Sequence, residues 1–431
     1  MIGTGYVGLV SGACLADFGN VVRCVDIDAG RVELLNRGHI PIYEPGLTEM
    51  VQRNVAGGRL LFITDLAEGV ENSDVIFIAV GTPSQADGST DLAQVFDAAK
   101  SIAKRLEGKK VVVQKSTVPV GTTRHVSELI RKQAPKNAEF AIVANPEFLR
   151  EGTAVSDFLR PNRVIIGIDQ EWSREVMKKV YRPLYLIETP IVFTTLETAE
   201  LVKYASNAYL ATKISFINEM AAIAEQVGAN IDDVAKGMGL DGRIGAKFLH
   251  AGVGFGGSCL PKDVSSLVHQ SNARGVQPRI LEAVLNVNSQ LTSSAVKKLK
   301  DEIGSLQGKV VGVLGLAFKP NTDDLREAPS IRIIQQLLAE GAGVRVFDPV
   351  AMDRFKEITK LDVTYTKSAY EAAKGCDAII LVTEWNEFRE LDFTRLDDVM
   401  RSPVLVDCRN VYKPDHMKAQ GFRYRSFGRG S

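Results

Sequence analysis

Gly3-Thr4-Gly5-Tyr6-Val7-Gly8 opens this chain, an apolar stretch follows to Phe18, and Val21-Val22-Arg23-Cys24-Val25-Asp26 then reads as a strand ending in an acid. Glycines at this spacing let the chain turn tightly into a helix and let a pyrophosphate approach that helix's N-terminus. Asp26 stands eighteen residues after Gly8, near the spacing at which a carboxylate accepts from the ribose of an adenosine. An acid there favours NAD over NADP, whose extra phosphate it repels. Arg31 could meet such a phosphate, or could equally be a solvated helix residue. A dinucleotide fold places a strand before its first glycine, and only Met1 and Ile2 precede it here, so either that strand is short or the chain begins late.

Short Val- and Ile-rich runs alternate with helical stretches beyond this point, at 60–64, 75–80, 111–116, 140–144, 164–168 and 191–194. Near-continuous apolar runs mark strands covered on both faces, and the alternation predicts a parallel sheet. Ligands of such sheets bind beyond the carboxyl ends of the strands. Three of those ends are polar: Gly81-Thr82-Pro83, then Lys115-Ser116-Thr117-Val118-Pro119-Val120-Gly121, then Asn145-Pro146-Glu147-Phe148-Leu149-Arg150-Glu151-Gly152. Ordinary turn chemistry accounts for any one of them and less well for three together.

Residues 196–227 contain neither glycine nor proline and predict one helix of roughly 45 Å. Lys203 and Asn207, four apart, share a face of it. They are either groups that meet a ligand or two members of a solvated stripe. The opening pattern returns at Val310 to Lys319, Val344 to Asp348 and Asp377 to Val382. This second α/β unit lacks a full Gly-x-Gly-x-x-Gly, so it should not hold a pyrophosphate in the same way. Lys319, Arg326 and Arg409 follow its strands and suit a nucleotide diphosphate or the partner side of a cleft; surface salt bridging would equally explain each. The expected architecture is α/β: two Rossmann-like doubly wound parallel-sheet domains, 1–195 and 301–431, joined by a long central helix within a region at 196–300.

That region carries Gly254-Phe255-Gly256-Gly257-Ser258-Cys259-Leu260-Pro261-Lys262-Asp263. Glycine this dense is kept where a chain turns sharply or a ligand comes close to the backbone. A thiol with a cation and a carboxylate beside it suits a nucleophile, although a buried structural cysteine beside a turn is the plainer alternative. The other cysteines, Cys14, Cys24, Cys376 and Cys408, lie in apolar segments and read as core. Five cysteines without paired spacing argue for a reducing compartment and against a disulfide framework or a metal site. The 52 basic residues balance the 52 acidic ones, so no global field favours nucleic acid or an anionic membrane. Apolar runs stop at strand length and no basic leader precedes them, which together predict a cytoplasmic protein.

With these motifs in hand the chain resembles the UDP-glucose/GDP-mannose dehydrogenase family over nearly its whole length. The Gly254–Asp263 decapeptide carries the resemblance, supported by Lys115-Ser-Thr-Val-Pro-Val-Gly, Asn145-Pro-Glu-Phe-Leu-Arg-Glu-Gly and Arg243-Ile-Gly-Ala-Lys-Phe248. It implies two successive NAD-dependent oxidations at C6 of UDP-glucose, in one active site between the two α/β domains. By similarity, Cys259 is the nucleophile, Lys203 and Asn207 stabilise an oxyanion, Thr117 and Asp263 hold a water, and Glu147 is an acid or base in the hydrolysis. The dinucleotide would meet Gly3, Gly5, Tyr6, Val7, Gly8, Asp26, Arg31, Thr82, Thr117, Glu151, Lys262 and Arg326. The sugar nucleotide would meet Phe148, Leu149, Arg150, Glu151, Phe248, Phe255, Gly256, Phe318, Lys319 and Arg409. Arg243 would reach the substrate of a second copy, implying a homodimer. Rival readings are a sister enzyme acting on GDP-mannose or a UDP-amino sugar, and a nucleotide-sugar sensor without turnover. A hydroxyacid dehydrogenase of related fold leaves the cysteine loop and the second α/β unit unexplained.

Overall fold

In the computed structural model, which describes residues 1–429, Ile2 bridges in parallel to both Val25 and Ile78. Its N–H donates to the Phe77 carbonyl at 2.7 Å, and its carbonyl accepts from Ala79 N–H at 2.8 Å. The central sheet position is thus occupied by the two residues before the glycine turn. On one side lie β1 (Val22–Val25) and β2 (Leu60–Ile63); on the other, in order, lie β3 (Val75–Ile78), β4 (Lys109–Gln114), β5 (Glu139–Ala144), β6 (Val164–Ile168) and β7 (Ile191–Thr194). Alternate strand residues serve opposite faces, as a period of two requires. Phe77, Val111, Val113 and Val143 pack with the helix Tyr6–Asp17. Ile76, Ile78, Val112 and Ile142 pack with the helices Ala93–Ala103 and Thr122–Gln133.

The sheet is not parallel throughout, contrary to the expectation from alternation. β5 and β6 run antiparallel, with Val143 opposite Ile168 and Ala144 opposite Gly167. The link between them contains only the six-residue helix Ala154–Leu159, which rises about 9 Å. β6 starts from the end at which β5 finishes.

Two compact units divide between Ser206 and Asn207, inside the 32-residue helix Leu196–Val227. The unit from Asn207 onward has an all-parallel sheet of β8 (Val310–Leu314), β9 (Gly343–Phe347), β10 (Thr364–Tyr365), β11 (Ala378–Leu381), β12 (Val404–Asp407) and β13 (Arg423–Arg425). Their spatial order is β10-β9-β8-β11-β12-β13, the doubly wound order of a dinucleotide fold. The first unit has the same order, β2-β1-Ile2-β3-β4-β5, so the repeated motifs mark a repeated topology. β10 and β13 are short and polar, and no apolar run announces them. Among the described residues no helix is long and apolar enough to cross a membrane.

Candidate active site

The opening turn is built from close backbone contact. A Cβ on Gly8 would lie 2.0 Å from the Gly3 carbonyl oxygen, and Gly3 itself has φ +92°. Gly5 caps the helix Tyr6–Asp17 without any side-chain hydrogen bond, leaving the first-turn N–H groups around Val7 for an anion. Asp26 leaves the end of β1 and accepts from Thr4 N–H at 2.7 Å, the Thr4 hydroxyl at 2.6 Å and Asp28 N–H at 3.0 Å. Burial alone would raise its pKa, yet those donors and the Arg31 guanidinium, 4.0 Å away, hold it below the ordinary aspartate value. Asp26 is therefore an ionised acceptor, and these residues fit an adenosine ribose and a pyrophosphate. Asp348, in the same place after β9, is spent internally: it takes the N–H groups of Leu316, Ala317, Val350 and Ala351 and the Trp385 indole. The second sheet thus keeps the acid without offering it to a ribose.

A second cluster of the first unit gathers at the ends of β4 and β5. Lys203 donates to Glu147 Oε1 at 2.9 Å, and both side chains are almost fully buried. Leu149 N–H donates to the other Glu147 oxygen at 2.5 Å. The Phe148 ring meets two cations, with Arg163 at 3.7 Å and the Lys203 ammonium at 5.3 Å from its centroid. The Thr82 hydroxyl donates to the Thr117 carbonyl at 3.0 Å, and Thr117, Glu200 and Lys203 line one small cleft. Lys115 donates to Asn145 Oδ1 at 3.2 Å. Burial, opposed by Glu147 and aided by Lys203, brings its ammonium down to about 8.

In the second unit Cys259 caps the helix Leu260–Ala273, which has proline in its first turn. The Ser258 hydroxyl lies 3.5 Å from the Cys259 sulfur. One turn on, Asp263 N–H donates to the Cys259 carbonyl at 2.9 Å. The buried Asp263 carboxylate takes Asn207 Nδ2 at 2.6 Å and Lys262 Nζ at 2.7 Å. The loop before the cysteine is held by its backbone. Asn288 accepts from Phe255 N–H at 2.9 Å and donates to the Phe255 carbonyl at 3.0 Å. Gly257 N–H meets the Arg326 carbonyl at 2.9 Å, and a Cβ on Gly257, at φ +83°, would strike the Phe318 ring at 2.7 Å. The Arg409 guanidinium donates to the carbonyls of Gly254, Phe318 and Val382, tying the cysteine loop to the ends of β8 and β11. Lys319 extends over the Phe318 ring, 5.4 Å from its centroid, and Gly256 packs against the Glu327 backbone.

Other residues singled out in the sequence have different surroundings. Arg150 pairs with Asp157 at 2.5 Å within its own segment, and Arg326 forks onto Asp324. Arg243 is largely exposed and pairs with Asp241. Phe248 adopts a left-handed backbone at φ +66°. Sequence reading missed Asn288 and Glu44. The buried Glu44 carboxylate accepts from the Tyr6 hydroxyl and from the N–H groups of Gly152 and Ala154, joining the opening turn to the segment after Glu151. The remaining cysteines are buried, and burial pushes the thiols of Cys24 and Cys376 up to about 11 and about 12 and those of Cys14 and Cys408 higher still.

Comparison with known proteins follows the same division. Residues 1–185 match the NAD binding domain of the UDP-glucose/GDP-mannose dehydrogenase family, 197–290 its central domain and 312–414 its UDP binding domain. A UDP-glucose 6-dehydrogenase of Rhizobium meliloti (strain 1021) is 52% identical, over 100% of this chain and 99% of that protein. A solved UDP-glucose dehydrogenase from the hyperthermophilic archaeon Pyrobaculum islandicum is 40% identical with a TM-score of 0.92, over 98% of this chain and 96% of that one. A UDP-D-ManNAc dehydrogenase from Pyrococcus horikoshii is 27% identical with a TM-score of 0.86, over 99% of this chain and 98% of that one.

Proposed function

The chain belongs to the UDP-glucose/GDP-mannose dehydrogenase family and is an NAD-dependent oxidoreductase, and on that premise we propose that it oxidises UDP-glucose at C6 to UDP-glucuronate through a covalent adduct on Cys259. The observation that carries this reading is the setting of Cys259. A thiol at the N-terminus of a 14-residue helix, with Lys262 and the Asp263–Asn207 pair within one turn, is placed where a thiolate is favoured.

Gly3, Gly5, Tyr6, Val7, Gly8, Asp26 and Arg31 hold NAD, which accepts a hydride in each of the two oxidations. The first oxidation takes the C6 hydroxyl to an aldehyde, with Glu147 receiving the hydroxyl proton. Cys259 Sγ then bonds to C6, and Lys203 and Asn207 donate to the oxygen that becomes negative. Loss of a second hydride from this thiohemiacetal leaves a thioester. Glu147 releases its first proton to solvent and then takes one from a water held by Thr117 and Asp263 as that water attacks the thioester; the C–S bond breaks with its electron pair returning to Cys259 Sγ, and the acid leaves as the carboxylate, its second proton going to solvent. A covalent adduct lets one site oxidise an aldehyde without first hydrating it. Glu151, Thr82, Lys262 and Arg326 serve the nicotinamide side, while Phe148, Leu149, Arg150, Phe248, Phe255, Gly256, Phe318, Lys319 and Arg409 seat the sugar nucleotide. The exposed Arg243 reaches the substrate of a second copy in a homodimer.

NADH formation from UDP-glucose, GDP-mannose and a UDP-amino sugar, run in parallel, tests the reading. Turnover of UDP-glucose with the others idle supports it. Preference for another sugar assigns the chain to a sister activity, and no NADH from any of them leaves a sensor.

A further inference from the structure

We propose that Lys115 is a positioning residue for the reaction: through Asn145 it fixes the root of the Glu147 segment, and it sets a surplus positive charge beside the Glu147–Lys203 pair. The inference rests on the reading of Glu147 and Lys203 as groups that meet the sugar, and it adds a residue that never touches the substrate.

The argument begins with strand register. Gln114 and Ala144 are partners in the β4–β5 ladder, and Asn145 N–H donates to the Gln114 carbonyl at 2.9 Å. Lys115 and Asn145 therefore leave adjacent strands at one level. Asn145 Oδ1 takes both the Lys115 ammonium at 3.2 Å and the Tyr181 hydroxyl at 2.5 Å, while Asn145 Nδ2 donates to the Ile165 carbonyl at 2.8 Å. Held from three sides, Asn145 fixes the peptide two residues before Glu147. The Phe158 ring lies 5.9 Å from the ammonium, which thus meets an amide oxygen and an aromatic ring.

Among the described residues no carboxylate touches Lys115; the charges that act on it are Glu147 and Lys203. Lys203 and Glu147 neutralise each other, which leaves Lys115 as one uncompensated buried charge. Burying such a charge is costly, and an apolar side chain would serve the fold better. Its use lies in the reaction. The surplus charge stands beside the Glu147 carboxylate that receives the proton, and it offsets the negative charge that forms on the sugar oxygen where Lys203 donates. As pH rises through about 8 the surplus is lost.

Lys115→Met and Lys115→Arg test this in the full-length protein, with kcat and KM measured from pH 6.5 to 9.5. Lys115→Met should lower kcat at neutral pH on the order of tenfold or more, leave KM for NAD within about twofold, and remove any decline of kcat near pH 8; Lys115→Arg should restore most of the rate. A Met variant with the wild-type rate and pH profile would overturn the proposal. Lysine labelled with carbon-13 gives a reading that needs no turnover. The Lys115 signal, identified by its absence from the Arg variant, should titrate near 8 in the wild type and lower in Glu147→Gln. Titration at an ordinary lysine value near 10.4, or indifference to Glu147→Gln, would contradict the proposal even if the substrate assignment failed.

Discussion

The Lys203 ammonium lies 2.9 Å from the Glu147 carboxylate, and neither side chain reaches solvent to any extent. Removing two charges from water costs about as much as their attraction returns, so such a pair is poor evidence for a stabilising device. Both residues stand at the carboxyl-end side of a doubly wound sheet, where ligands bind.

Glu147→Gln keeps the shape and removes the charge. It should reduce kcat by roughly 10²–10⁴, the range for losing a general base, and destabilise the first unit by about 3 kcal/mol by removing the carboxylate charge opposite the buried Lys203 ammonium. Adding Lys203→Met should recover part of that stability and none of the rate. Denaturant unfolding of the two variants decides the point; strictly additive losses would show that the two groups are not coupled.

Cys259→Ser should bind UDP-glucose as the wild type does and lose turnover, because an alcohol is far less nucleophilic than a thiolate near neutral pH. Calorimetric titration with the sugar nucleotide and steady-state NADH formation separate the two effects. Near-normal turnover would remove the covalent route.

Asp26→Ala should weaken NAD binding by on the order of tenfold and narrow the preference over NADP, since the ribose loses its acceptor and the 2′-phosphate loses a repulsive neighbour. The ratio of kcat/KM for the two cofactors measures this, and an unchanged ratio would mean that the ribose lies elsewhere.

Lys115 is held near 8 in the folded protein against 10.5 as its ordinary value. Between those values the unfolded chain binds more protons, so stability rises with pH there; below about 8 the full cost, about 3 kcal/mol, is present. Denaturant unfolding at pH 7.5 and 9.5 should show about 2 kcal/mol more of this gain in the wild type than in Lys115→Met. An equal gain in both would place the titration on another group.

How much of this was legible depends on how local each signal is. The opening turn, Asp26 and the cysteine loop are written in glycine spacing and neighbouring residues, and the helix Leu196–Val227 in the absence of any breaker. The reversal at β5–β6 is a choice of strand direction across the link, which the alternation of apolar runs does not express. Asn288 acts on Phe255 across 33 residues and Glu44 on Gly152 across 108, and neither sits in a pattern of its own. Lys115 stood in a recognised stretch, but its burial and its distance from any carboxylate belong to the tertiary structure.

The count of NADH formed per UDP-glucose consumed tests the central claim most directly. Two NADH with UDP-glucuronate as the product, and no free aldehyde accumulating, is the result that the Cys259 route predicts. One NADH per sugar, with the aldehyde released, would contradict it.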